Sequence, residues 1–475
     1  MSDRSSAVVV GSGPNGLSAA IVLAQAGLSV TVLEAHENIG GGTRTAELTV
    51  PGVLHDVCSA VHPFGAASPF FRSLPLADHG LTWCAPEIDL AHPLDGDCAA
   101  VMVRSIDDTV RGLGADGRKW RRSFGTLAGA FDDITDEIFR PLLHVPRHPV
   151  MLARFGMGAL QPASIYARRF KTTEARALFA GAAAHAIQPL TQFGTSAPGI
   201  SLLAAGHRFG WPVAQGGSHS ITNALASYFR SLGGVIETGV EIRTAADLPD
   251  AAITIFDTSP RAVARILDDA LPSQTRRAYR KWKYGPGAYK IDLAIEGGVP
   301  WSAEACRGAG TVHVGGTFEE IADAEATVTH GAIPERPFVL LAQQYLADPS
   351  RSNGNVHPVW AYTHVPNGFT GDATDAILNQ IERFAPGTRE RIVAMHTTSP
   401  IAFEQYNANY VGGDIATGQN SLRQMLFRPG PSLHPYATGR HGTFLCSAAT
   451  PPGAGVHGMG GYHAATAALA AMKLT

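Results

Sequence analysis

Gly11, Gly13 and Gly16 follow directly on the apolar run Val8 to Val10, and Glu34 ends a second apolar run, Leu28 to Leu33. Glycines at that spacing can seat a pyrophosphate. Gly11 permits a tight turn, Gly13 lets the backbone approach phosphate oxygens, and Gly16 lets a helix pack closely on a strand. Ser12, Pro14 and Asn15 lie between them, with Pro14 placed to open a helix whose unpaired N–H groups and partial positive charge favour an anion. Glu34, followed by Ala35, can accept hydrogen bonds from a ribose diol. A lone GxGxxG says little. Here strand, glycines, helix, strand and acid occur in order, so the pattern predicts one βαβ unit holding an adenine dinucleotide.

The elements that must carry these residues belong to a long, ordinary globular chain. At 475 residues with 45% hydrophobic and 16% charged content, two lobes are expected rather than one core. The 37 basic and 40 acidic residues are well mixed, net charge −3, which leaves no basic stripe for nucleic acid. Nineteen histidines raise metal binding as a question, yet HExxH, HxH and CxxC are all missing, so no metal is expected. The five scattered cysteines, Cys58, Cys84, Cys98, Cys306 and Cys446, do not form a disulfide framework and point to a reducing compartment. MSDRSS has no apolar signal core, and no uncharged stretch holds the roughly 18 apolar residues that a spanning helix needs. The expectation is a cytoplasmic protein. Val150 to Leu160, apolar almost all round with Arg154 its single charge, reads as a core helix. Its sharper readings are a greasy tunnel wall or an entrance in peripheral contact with a membrane.

Three stretches carry a family resemblance. Gly40-Gly41-Gly42-Thr43-Arg44-Thr45 resembles the second glycine motif of the FAD-binding amine oxidase and phytoene desaturase superfamily, with Gly42 where the family has arginine. Trp211 to Ile242 resembles its middle segment: a Gly-Gly turn, a helix, Gly233-Gly234, a strand, then Val240. Thr443 to Met472 resembles its closing strand, glycine turn and helix. Phrases such as Asp348-Pro349-Ser350-Arg351, Trp360 to His364 and Gly412-Gly413-Asp414-Ile415 are similar to the branch that includes pyridine nucleotide-disulphide oxidoreductase domain-containing proteins.

The resemblance implies an α/β (overall α+β) fold with a Rossmann-like FAD domain, discontinuous in sequence, and an inserted substrate domain of β-sheet plus helices. FAD segments are expected at 1–82, 211–289 and 426–475, a helical substrate segment at 83–210, and a sheet-bearing one at 290–425. It places FAD on Gly11 to Gly16, Glu34, Ala35, Gly41, Gly42, Thr43, Arg44 and Val240, and on Gly455, Val456, His457 and Met459. Arg44 is left between a phosphate contact and a surface ion pair, and Asp56 between orienting backbone near the flavin and capping a turn. His62 is a secondary candidate for a flavin contact, Cys58 stands where the family has a glycine, and Cys446 reads as packing rather than covalent flavin attachment. His457 is the foremost acid–base or orienting candidate, against a histidine that stabilises a loop; Tyr406, Trp211 and His207 are cavity candidates.

The implied activity is flavin-dependent dehydrogenation, forming C=C bonds in a lipophilic, carotenoid-like substrate by hydride transfer to flavin N5. An oxidase, a redox-neutral double-bond isomerase and a non-catalytic FAD-containing binding protein are the alternatives. The electron acceptor, oxygen and a quinone among the options, and the oligomeric state stay open.

Overall fold

The computed structural model describes residues 6–472; residues 1–5, whose polar text entered the expectation about location, lie outside the described residues. The run of valines becomes the strand Ser6–Val10, buried from Ala7 onward, which suits β-branched residues covered on both faces. It lies at the centre of a five-stranded sheet, ordered Thr443–Leu445, Ile253–Phe256, Ser6–Val10, Ser29–Leu33 and Val235–Glu237, with every neighbouring pair parallel. Strands from three distant stretches of chain thus build one nucleotide sheet.

The helix Pro14–Gln25 packs on this sheet, and the last helix, Met459–Met472, packs on it in turn. Gly461 makes that crossing possible: a Cβ there would stand 1.9 Å from the Asn15 carbonyl oxygen.

The second sheet has seven strands, ordered Ile392–Thr398, Gly287–Glu296, Val356–Val365, Val339–Ala342, Ala309–Val314, Ile88–Leu94 and Cys98–Met102. One face packs on the helix Thr374–Phe384 through Ile291, Leu293, Leu341, Ile377 and Ile381. The other packs through Leu340 and Trp360 on the helices Thr173–Ala184 and Ser196–Phe209.

Two expectations need correction. The segment 83–210, read as helical, contributes the hairpin Ile88–Leu94 and Cys98–Met102 to the second sheet. Its first strand pairs parallel with Ala309–Val314, more than 200 positions away, and a partner that distant leaves no local signal. The helix Pro149–Ala159 is not a core helix: only Phe155 and Ala159 are buried, while Val150 and Met157 are 82% and 70% exposed. One face, with Leu152, Phe155 and Ala159, walls a cavity, and the opposite face is open. Among the described residues no helix is long and apolar enough to cross a membrane.

Candidate functional site

The first glycine turn is built as its spacing requires. Gly11 takes φ +103°, a conformation that side chains disfavour, and a Cβ on Gly16 would stand 2.1 Å from the Gly11 carbonyl oxygen. A Cβ on Gly13 would stand 2.6 Å from Asp257 Oδ2. The second glycine run folds back on the first, so that a Cβ on Gly41 would lie 3.1 Å from the Gly13 Cα. Between the two runs lies a cradle of bare backbone. It is the shape a pyrophosphate needs, and any side chain would fill it.

Glu34 closes one end of the cradle. Its Oε2 accepts from Ser12 N (2.9 Å) and Ser12 Oγ (2.5 Å), and its Oε1 accepts from His36 N (2.9 Å) and Arg44 Nη2 (3.4 Å). Arg44 is buried, donates from Nε to the Asn38 carbonyl, and lies over the Tyr406 ring at 5.2 Å. Its ion pair is therefore internal rather than on the surface. Tyr406 in turn donates to the Gly41 carbonyl at 2.6 Å, which fixes the second turn. Gly42 has a neighbour of its own, since a Cβ there would meet the Tyr410 hydroxyl at 2.2 Å. The glycine that departs from the Gly-Gly-Arg pattern makes room for a tyrosine supplied from 368 residues further along.

A cavity of about 1040 Å³ starts at this cradle. Gly11 to Asn15, Glu34, Ala35, Gly41 to Arg44 and Val240 line it, and so do Gly455, Val456 and His457 from the far end of the chain. Gly16 and Met459 are outside the lining: Gly16 sits in the helix–strand contact, and Met459 starts the last helix. Beyond the cradle the cavity opens into an apolar chamber walled by Phe155, Leu202, Trp211, Leu340, Trp360 and Tyr362.

The candidate side chains have distinct surroundings. His457 is buried, and burial first of all pushes its pKa down to about 4, so the ring is neutral near pH 7. Its Nδ1 accepts from Met459 N at 3.1 Å, which ties the loop to the start of the last helix. Trp211 walls the chamber, donating from N to Asp89 Oδ1 (2.6 Å) and from Nε1 to the Leu202 carbonyl (3.3 Å). Cys58 and His62 line the cavity as well, whereas His207 is absent from the lining and accepts from Trp120 Nε1 at 2.9 Å. Cys446 is buried after the last strand, and burial raises its thiol pKa well above the usual range.

Asp257, His185 and Arg351 were not foreseen from sequence, and Asp56 was foreseen without its partner. Asp257, after the Ile253–Phe256 strand, faces the cradle and accepts from Gly16 N at 2.9 Å. His185, at the end of the Thr173–Ala184 helix, lines the chamber and shares a 3.2 Å Nε2···Nε2 hydrogen bond with His313. Asp56 is fully buried and accepts from Ser218 N (2.7 Å), Thr45 Oγ1 (2.9 Å) and the Arg351 guanidinium. Burial raises its pKa, but Arg351 and the Ser218 N–H together outweigh that and hold the carboxyl below the ordinary carboxylate range. Arg351 also binds Asp348 Oδ2 (3.1 Å) and the Ala214 carbonyl (2.6 Å), so one buried guanidinium joins both sheets' domains beside the cavity. Among the described residues no group of three His, Cys, Asp or Glu side chains could hold a metal ion.

Comparison with known proteins agrees with this geometry. Residues 9–74 match the model of the NAD(P)-binding Rossmann-like domain. Over 97% of this chain and 92% of the other, the sequence is 23% identical to mouse (Mus musculus) pyridine nucleotide-disulfide oxidoreductase domain-containing protein 2. An oxidoreductase from Methanosarcina mazei superposes with TM-score 0.65 at 16% identity, covering 98% of this chain and 100% of that one. A putrescine oxidase bound to putrescine superposes with TM-score 0.60 at 17% identity, covering 99% of both chains. The chain thus carries an NAD(P)-binding Rossmann-like domain within an overall fold shared with these two oxidoreductases.

Proposed function

We propose that this chain is an FAD-dependent oxidoreductase that dehydrogenates a lipophilic substrate, forming a C=C bond, in the chamber next to its dinucleotide cradle. The observation that carries this reading is the continuity of one cavity from the Gly11–Gly16 and Gly41–Arg44 turns to an apolar chamber. FAD fits the residues present. Two glycine runs leave room for a pyrophosphate, Glu34 offers a carboxylate for a ribose diol, and the loop Gly453 to His457 faces the same space.

When bound, FAD supplies the hydride acceptor. The chain's own residues do the rest. Ser12 and Arg44 keep Glu34 oriented, and Tyr406 fixes the Gly41 carbonyl so that the second turn keeps its shape. The chamber wall of Phe155, Leu202, Trp211 and Leu340 excludes water and grips apolar carbon. His457, neutral and with Nδ1 committed to Met459 N–H, orients the closing loop rather than acting as a charged acid. The histidines of the lining, His62, His185 and His457, are held neutral by burial, in keeping with removal of hydride from carbon.

The test is anaerobic mixing of the purified, FAD-loaded protein with lipophilic candidates while the flavin spectrum is followed. Bleaching by a compound recovered with an added double bond is the expected result. A colourless protein that refuses FAD overturns the reading. A substrate that changes double-bond position only after the flavin has been reduced overturns it in favour of an isomerase, and rapid reoxidation by oxygen with peroxide release identifies an oxidase.

A further inference from the structure

Arg428 stands on the cavity wall in an unusual electrostatic position. It is only 3% exposed, yet no carboxylate lies within ion-pair distance among the described residues. Its guanidinium donates to neutral oxygens alone: Nη1 to the Ala448 carbonyl at 3.2 Å and Nη2 to Asn420 Oδ1 at 3.2 Å. Nε is buried with no hydrogen-bond partner. The other buried cation of the wall, Arg44, is already paired with Glu34. Asp414, the carboxylate that acts on Arg428 electrostatically, is spent on the backbone N–H groups of Gly285 (2.7 Å) and Ala416 (2.9 Å). A buried guanidinium without a counter-charge is costly, so the position makes sense when an anion arrives from outside the chain.

The surroundings say which anion. Asn420, which receives Arg428, donates from Nδ2 to the Ala186 carbonyl at 3.3 Å, and Ala186 belongs to the chamber lining beside His185. Met425, from the same segment, reaches Gly194 on the chamber's rim. Gly453 gives the guanidinium its space, since a Cβ there would stand 2.4 Å from Nη1. Through Asn420 the cation is tied to the apolar chamber and through Gly453 to the loop that closes the cavity, whereas the pyrophosphate cradle is built from the two glycine runs.

We propose that Arg428 anchors the carboxylate of an otherwise apolar substrate, making this a site for lipophilic acids rather than for uncharged polyenes. The inference rests on the chamber being the substrate site, as the preceding section reads it. A planar guanidinium matches a carboxylate with paired N–H···O bonds, and such a bond made in a dry wall gains strength from the low dielectric. The hydrocarbon tail then lies along Phe155, Leu202 and Trp211, with its oxidisable carbons held at a set distance from the head.

The test uses the FAD-loaded protein and three probes of equal chain length, decanoate, decanol and decane, titrated by quenching of tryptophan fluorescence. The wild type is expected to bind decanoate best. Arg428→Met should weaken decanoate by about 10–100-fold while leaving decanol and decane unchanged, as loss of a charge-assisted hydrogen bond implies. Arg428→Lys, which keeps the charge, should recover part of the preference and stands in should the methionine variant fail to fold. Undiminished decanoate binding by Arg428→Met overturns the proposal. So does loss of FAD affinity with decanoate binding intact, because Arg428 would then serve the cofactor's phosphates. If no substrate reduces the flavin but the decanoate preference follows Arg428, the oxidoreductase reading fails alone.

Discussion

Replacing Asp257 by asparagine should stabilise the cofactor-free protein by an amount that grows as pH rises from about 4 to about 7 and is full above that. The carboxyl faces the glycine turn, accepting from Gly16 N at 2.9 Å. Burial first, then the Glu34 carboxylate, raises its pKa from 3.8 to about 7. The folded state therefore keeps a proton that the unfolded chain releases. Stability falls as pH rises from about 4 to about 7, and the loss is complete above that window. At about 1.4 kcal/mol per pH unit the full difference is about 4 kcal/mol. The side chain keeps some exposure to the cavity. Water there relieves part of the cost, leaving about 2 kcal/mol.

Asp257→Asn retains an oxygen for Gly16 N–H and removes the charge. Urea unfolding of wild type and variant near pH 4 and near pH 8 should give a gain below about 0.5 kcal/mol at the lower value and about 2 kcal/mol at the higher. FAD affinity should follow the same course, because an ionised Asp257 repels the pyrophosphate. In the wild type it should decline as pH rises through about 7, and in the variant it should stay level. An equal gain at both pH values would refute the reasoning, since the carboxyl would then be ionised throughout. Equal losses at both would show that the hydrogen bond needs a carboxyl oxygen.

Arg351→Met should cost about 3–5 kcal/mol by leaving Asp56 and Asp348 buried without their counter-charge. Asp56→Asn added to it should recover part of that loss in a denaturation double-mutant cycle. Gly461→Val, whose Cβ would stand 1.9 Å from the Asn15 oxygen, should lower the unfolding free energy by roughly 3 kcal/mol and release FAD together with the last helix. Gly42→Arg, which completes a Gly-Gly-Arg sequence, should weaken FAD binding measured by ultrafiltration, because the Tyr410 hydroxyl occupies that space. Tyr410→Ala should restore binding in the double variant.

How much of this was legible in the sequence depended on the distance between partners. The cradle was legible because Gly11, Gly13, Gly16 and Glu34 act within one βαβ unit, where spacing along the chain is spacing in the fold. Val240 and the loop at Gly455 were legible only through resemblance, since their strands join the sheet from far away. Asp56 and Arg351 could not be paired from sequence: 295 positions separate them, and each alone reads as an ordinary charged residue near a turn. Tyr410 beside Gly42 is a similar case. The strands Ile88–Leu94 and Cys98–Met102 were missed because the helical text after them dominates the segment. His457 read as a chemical candidate from its neighbours, and the Met459 N–H bond is what gives it an orienting place.

Taken together, the charges around the cavity leave one vector. Arg44 neutralises Glu34 in the cradle, and Asp257 keeps its proton up to about pH 7. Burial pushes His62 and His457 down to about 4 and His185 to about 3, so none of the three carries charge near neutrality. Once FAD brings its two phosphate charges to the glycine turns, Arg428 is, among the described residues, the buried cation of the wall left without an ionic partner. A symmetrical hydrocarbon would slide in such a chamber, because dispersion contacts with Phe155 or Leu202 are much alike wherever a methylene lies. A single charge-assisted anchor removes that freedom. It selects one end of the substrate and one carbon to face the hydride acceptor, so regiochemistry in this protein should be set from Arg428.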